Sequence, residues 1–124
     1  MNKIIWIAVA GAFGTLSRYA LGGLVQRIWG NLFPWGTLCV NGAGCFLFGL
    51  VWAYSENRLS VSSELRIILL LGFMGAFTTF SSFMFETVEL LKDSQWLAAA
   101  VNVAAQNGLG LLLFLVGQAI GRLV

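Results

Sequence analysis

An all-α membrane protein with four transmembrane helices, the third broken at mid-membrane, is the fold this sequence predicts, and three observations predict it. Of its 124 residues, 59% are hydrophobic and 10% charged, against about 25% charged in soluble domains. The apolar residues fall into four stretches, and a span needs about 20 of them. The third stretch carries two glycines and four hydroxyls, Gly72, Gly75, Thr78, Thr79, Ser81 and Ser82, where a lipid-facing helix would carry leucine. One four-helix domain over residues 1–124 is expected, with spans at about 4–26, 33–54, 65–91 and 96–123 and no extramembrane domain. A net charge of +2, scattered along the chain, gives nucleic acid no basic face to bind.

The first span opens after Met1-Asn2-Lys3, which has the look of a signal peptide with Ala8-Val9-Ala10 as a cleavage site. The apolar run continues through Phe13 and Leu16, so a first membrane helix is the better reading. Trp6 and Trp29 mark its two interfaces. Gly11, Gly14, Gly22 and Gly23 leave room for close helix contact. Arg18 must face protein, water or headgroups, and either snorkels or faces a pore.

The second span starts near Pro34, which a first helical turn tolerates. Thr37, Asn41 and Cys45 are spaced i, i+4, i+8 and share one face. Asn41 is the expensive residue, because an unpartnered buried carboxamide costs about 1–3 kcal/mol. It either joins helices or donates N–H groups to something passing. Cys39 and Cys45 stand six residues apart on one helix, a rise of about 9 Å, which is beyond the ~7 Å reach of a disulfide. With no histidine and no third cysteine, they are not a metal site either.

Ser and Thr compete with the helix for backbone hydrogen bonds, and Gly relaxes it. Gly72–Glu86 therefore reads as a break that presents bare carbonyls, hydroxyls and phenyl edges to an ion. Irregular backbone at that depth survives only when buried in protein or lining a wet cavity. The bland alternative is a kinked core helix packed by its phenylalanines. Phe80 and Phe83 stand i, i+3 on one helix face, with Phe77 a turn earlier. Phenyl edges are electropositive and solvate a small anion weakly.

Before that span, Ser55–Ser63 is polar, and Glu64 complements the helix dipole in the first turn. After it, Lys92-Asp93-Ser94-Gln95 makes the turn and Trp96 marks re-entry. The fourth span carries Asn102 and Gln106 one turn apart, on a face continued by Gly110. Gly117-x-x-x-Gly121 offers a packing seam. The two amides either line a path or tie helices together.

Four spans put both termini on one side. Lys3, Arg58, Arg66 and Arg122 lie there, against Arg18, Arg27 and Lys92 opposite. Four against three is no orientation signal. Such a chain can insert both ways and pair antiparallel about an axis in the membrane plane, the two-chain equivalent of an inverted repeat.

Enzyme chemistry is not expected. Histidine is absent, and no nucleophile elbow, phosphate loop or dinucleotide fingerprint occurs. The one acid near mid-span is Glu86, with Glu89 a turn beyond.

The run Gly72-Phe-Met-Gly75-Ala-Phe-Thr78-Thr79-Phe80-Ser81-Ser82-Phe83, followed by Glu86, resembles the third-helix signature of the Fluc (CrcB) fluoride channels. Gly11-x-x-Gly14-x-x-x-Arg18-Tyr19 and Asn41-Gly42 are similar to the same family. The resemblance implies passive fluoride export across a bacterial inner membrane by a dual-topology antiparallel homodimer with two pores. It implies that Phe80 and Phe83 line the pore, and that Asn41 orients them and donates hydrogen bonds. Ser81, Asn102 and Gln106 would belong to the anion pathway, and Arg18 to its vestibule or to helix packing. The backbone carbonyls of Gly75 and Thr78 would hold a structural sodium ion that is not transported. Ser82 stands where the family often has Thr, and Asn102 and Gln106 where its polar track varies. The alternative is a four-span proton-coupled exporter of the small multidrug-resistance type, whose working acid lies in a first helix that here has none. A non-transporting assembly subunit is the third class.

Overall fold

A computed structural model describes residues 2–56, 58 and 61–124, and among them there is no strand. Four helical spans are long and apolar enough to cross a membrane: Asn2–Trp29, Trp35–Glu56, Ser63–Lys92 and Trp96–Leu123. The first (α1) and second (α2) are single α-helices, as is the fourth (α6). Pro34 sits just ahead of α2, and its carbonyl accepts from Leu38 N at 3.2 Å. The polar link before the third span lies partly outside the described residues. At its end Ser62 caps the helix, its side chain accepting from Leu65 N.

The third span comprises α3 (Ser63–Ile67), a π-helix (Ile68–Met74), the single turn α4 (Gly75–Phe77) and α5 (Phe80–Lys92). The π-helix is a departure from the sequence expectation, since Ile-Leu-Leu-Leu-Gly-Phe-Met is ordinary membrane-helix composition. π turns are rare and concentrate at functional sites. The helix is interrupted after α4, where Thr78 (ψ 156°) and Thr79 (φ −148°, ψ 113°) are extended.

Close approach at glycine holds the bundle together, as small residues do where lipid supplies no hydrophobic drive between helices. Between α2 and α6 it is Gly49, Gly117 and Gly121. A methyl on any of them would collide with backbone atoms of the opposite helix: Phe114 carbonyl for Gly49, Phe46 carbonyl for Gly117, Leu50 carbonyl for Gly121. The Gly117–Gly121 seam is therefore an α2 contact. Between α1 and the third span, Gly14 sits against the Phe73 carbonyl, and Gly72 stands where a methyl would lie 3.1 Å from the Ile7 carbonyl. Gly22 meets Gly36 of α2. Gly23 faces open space within the single chain. The rest of α1 is half-buried on the packed face and exposed on the other, with Gly14 its one buried residue among those described.

The α1–α2 turn is closed by one side chain. Gln26 Nε2 donates to the Gly30 carbonyl at 2.5 Å and the Phe33 carbonyl at 2.9 Å, while its Oε1 accepts from Gly36 N at 2.9 Å. Gly30 takes φ +86°, a left-handed conformation natural to a glycine just past a helix end.

Candidate ion pathway

At Thr79 the membrane helix has no backbone partner, and Asn41 of α2 takes that place. Its Oδ1 accepts from Thr79 N at 2.8 Å, and its Nδ2 donates to the Thr79 carbonyl at 3.0 Å. The carboxamide pairs with both backbone groups of one residue, Thr79, as a neighbouring strand would. Its second Nδ2 hydrogen goes to Gln106 Oε1 at 3.1 Å. The costly amide of the sequence is thus fully used, and it supports the break.

α5 starts from the break with its own cap. Thr79 Oγ1 accepts from Ser82 N at 3.2 Å and bonds Ser82 Oγ at 3.0 Å. Ser81 Oγ lies 3.4 Å from the same oxygen. Thr78 turns its hydroxyl back to the Met74 carbonyl at 3.0 Å. These bonds free two particular carbonyls. In a continuous helix Thr79 N would serve Gly75 and Ser82 N would serve Thr78. Both donors are spent elsewhere, so Gly75 and Thr78 lose their helical partners, and Gly75 lies exposed in the single chain.

Two hollows meet at this point. One, of about 400 Å³, is lined by Asn41, Cys45, Phe80, Phe83, Gln106 and Phe114 among others. The second, of about 450 Å³, is lined by Arg18, Gln26, Thr37, Ser82 and Glu86 among others. Thr79 lines both. Thr79, the residue held by Asn41, is thus shared by a vestibule that bears Arg18, Glu86 and hydroxyls and by an aromatic cavity.

Phe80 and Phe83 pack edge to face, ring centroids 5.5 Å apart and planes at 77°. Phe83 is 4% exposed, Phe80 72%. Phe77 does not join them. It lies across the break and stacks on Phe73 at 5.7 Å, because two extended residues reset the helical phase. Arg18 is half-buried at the vestibule, and the one ion pair among the described residues is Lys92–Glu89, 2.7 Å. Glu86 faces the vestibule side and accepts from Thr37 Oγ1 at 2.6 Å. The sequence offered no signal for that Thr37–Glu86 link, since 49 residues separate its ends.

On α6, Asn102, Gln106 and Gly110 are all buried on one face. They divide in their contacts. Gln106 lines the aromatic cavity. Asn102, 0% exposed, lies apart from that lining and donates to Thr87 Oγ1 at 3.0 Å, which in turn donates to the Phe83 carbonyl at 2.8 Å. Ser81 is exposed and stands at the cap of α5. Cys39 and Cys45 are free thiols.

Comparison with known proteins finds a matching family and similar relatives over nearly the whole chain. The family described as "CrcB-like protein, Camphor Resistance (CrcB)" matches residues 5–118. A relative from Nitrosococcus oceani, named "Fluoride-specific ion channel FluC", is 57% identical over 123 residues, 99% of this chain and 98% of its own length. Proteins of that name from Nitratidesulfovibrio vulgaris (Miyazaki F) and Solidesulfovibrio magneticus are each 52% identical over 124 residues. The alignment covers 100% of this chain in both, with 100% and 99% of the relatives' lengths.

Proposed function

This chain belongs to the CrcB-like family, and from that premise we propose that it is a multi-pass membrane channel that lets fluoride leave the cytoplasm passively. The observation that carries the reading is the held break: Thr79, clamped by Asn41, lines both a vestibule bearing Arg18 and Glu86 and a cavity edged by Phe80 and Phe83. The aromatic cavity has no carboxylate in its lining. Ring edges and amide N–H groups are the lining an anion requires. A proton-coupled exporter needs a membrane-buried acid as its relay, and the first span offers none.

Efflux of fluoride from liposomes containing the purified protein, with chloride as control, is the test. Flux of fluoride but not chloride is expected. Phe80→Ile and Phe83→Ile keep apolar bulk and remove the positive ring edge, and each should lower flux at least about tenfold, the scale of a lost interaction of 1–2 kcal/mol. Fluoride retention by liposomes carrying the unsubstituted protein would end the channel reading. Full flux in both variants would return the rings to packing.

The functional unit we propose is an antiparallel homodimer in a bacterial inner membrane. Four positive residues against three give no preferred orientation. The exposed Phe80, Gly75 and the length of α1 are surfaces for a second copy or lipid to cover. Reporters fused to the C-terminus should register on both sides of the membrane. Uniform orientation with full activity would refute dual insertion.

A structural sodium ion fits the freed carbonyls of Gly75 and Thr78, since hard oxygen ligands without a nearby carboxylate suit a monovalent cation. Its charge would offset carbonyl oxygens left without donors in a dry place. In the efflux assay, exchanging sodium for a large organic cation during purification should lower flux, and indifference after exhaustive exchange would remove the ion from the proposal.

A further inference from the structure

One face of α1 carries Ile7, Ala10, Gly11, Gly14, Ser17 and Arg18 at helical spacing. All six are buried or half-buried, while the other residues between Ile7 and Arg18 are exposed. The two glycines of this face are not equivalent. A methyl at Gly14 would collide with the Phe73 carbonyl and lie 3.1 Å from Phe77 N, so the backbones of α1 and the third span touch there. Gly72 makes the same interface from the other side, where a methyl would lie 3.1 Å from the Ile7 carbonyl and 3.0 Å from Ala10 Cβ. Gly11 has room, since nothing would stand nearer than 3.7 Å to its methyl.

Arg18 follows Gly14 by one turn, a rise of about 6 Å. Phe77, against which Gly14 sits, belongs to the last turn before the break. The next turn of α1 therefore brings Arg18 level with the break, and Arg18 lines the vestibule together with Thr15, Thr79, Ser82 and Glu86. Arg18 is half-buried and forms no ion pair among the described residues, with Glu86 of the same lining beyond ion-pair distance. An unpaired guanidinium between low-dielectric walls acts on an approaching anion through its field, without contact. That attraction falls with distance.

We infer that Gly14 is a positioning residue for Arg18: it lets α1 close on the turn before the break and so fixes how near the Arg18 charge stands to Thr79 and Ser82. The inference rests on the channel reading. It gives the parts of Gly11-x-x-Gly14-x-x-x-Arg18 separate tasks, with Gly14 as the seat, Arg18 as the charge, and Gly11 as a position that tolerates a methyl. A side chain at 14 leaves the arginine in place but holds it back.

Ionic strength separates this role from plain packing. Raising salt from about 0.01 M to about 1 M shortens the Debye length from about 30 Å to about 3 Å. Liposome efflux at a fixed low fluoride concentration should therefore fall with salt in the unsubstituted chain, and stay flat in Arg18→Gln. Gly14→Ala should lower efflux at least about threefold at low salt, the scale of a unit charge displaced by about 1–2 Å, and converge on the unsubstituted chain at high salt. Added to Arg18→Gln, it should cause no further loss. Gly11→Ala should match the unsubstituted chain throughout. Gel filtration checks that each variant is a folded assembly. Should Gly14→Ala fold poorly, Gly72→Ala displaces the same interface by a few tenths of an ångström, and should show the same pattern with a smaller loss. A Gly14→Ala or Gly72→Ala loss that is equal at both salt concentrations, or that adds to Arg18→Gln, overturns the inference, as does undiminished efflux in both glycine variants or a flat salt profile for the unsubstituted chain. Absence of fluoride flux in the unsubstituted chain is a different result, which fails the channel reading itself.

Discussion

Asn41→Asp should abolish fluoride flux. A carboxylate keeps the acceptor that Thr79 N needs, so one arm of the clamp survives. It cannot donate to the Thr79 carbonyl or to Gln106 Oε1, and those two bonds are lost. Gln106 is then driven to turn its nitrogen toward the new carboxylate, which presents its oxygen to the cavity. The added negative charge stands at the break itself. One unit charge repels another by about 4 kcal/mol at 4 Å and an effective dielectric of 20, or about a thousandfold in rate. Liposome efflux within tenfold of the unsubstituted chain would show that neither the clamp nor the charge matters. Helical content should change little, because the helices on both sides of the break do not depend on this bond.

Gly117→Val should act on the fold instead. The first carbon of the new side chain would stand where the Phe46 carbonyl and Leu50 nitrogen of α2 already are. Overpacking a core typically costs about 1–3 kcal/mol, and that figure assumes side chains able to shift. Here the obstacle is helical backbone on the largest helix–helix interface of the molecule. The expected loss is at least about 3 kcal/mol, seen as poor recovery of folded protein and a lower melting temperature. An unchanged melting temperature would mean that α2 and α6 can separate at no cost.

Much of this architecture is legible in the sequence. Hydropathy places the spans because the bilayer requires about 20 apolar residues and the chain supplies little else. The hydroxyl cluster marks the break because Thr78, Thr79, Ser81 and Ser82 are poor residues for a lipid-facing helix. What could not be read is what holds the break. The Asn41–Thr79 bonds join residues 38 apart, and no local pattern encodes such a pairing. The π-helix was hidden for a related reason. Its seven residues carry ordinary apolar side chains, and Gly72 among them packs against Ile7 and Ala10, far away in the sequence. An unbroken 3.6-residue phase puts Phe77 with Phe80 and Phe83, and the two extended threonines interrupt that phase. Asn102 and Gln106 share a face, as their spacing requires, but only contacts from α5 and α2 distinguish their tasks.

The clamp also bears on how the molecule is made. Alone in lipid, the third span is cheapest as one continuous helix, since nothing else satisfies Thr79 N and its carbonyl. Asn41 comes off the ribosome well before Thr79, so its amide is already in the membrane when the third span arrives. The bend is therefore a product of docking rather than of insertion. On the proposed function, the path is complete only once the second and third spans have met, and a nascent chain is expected to leave the membrane sealed.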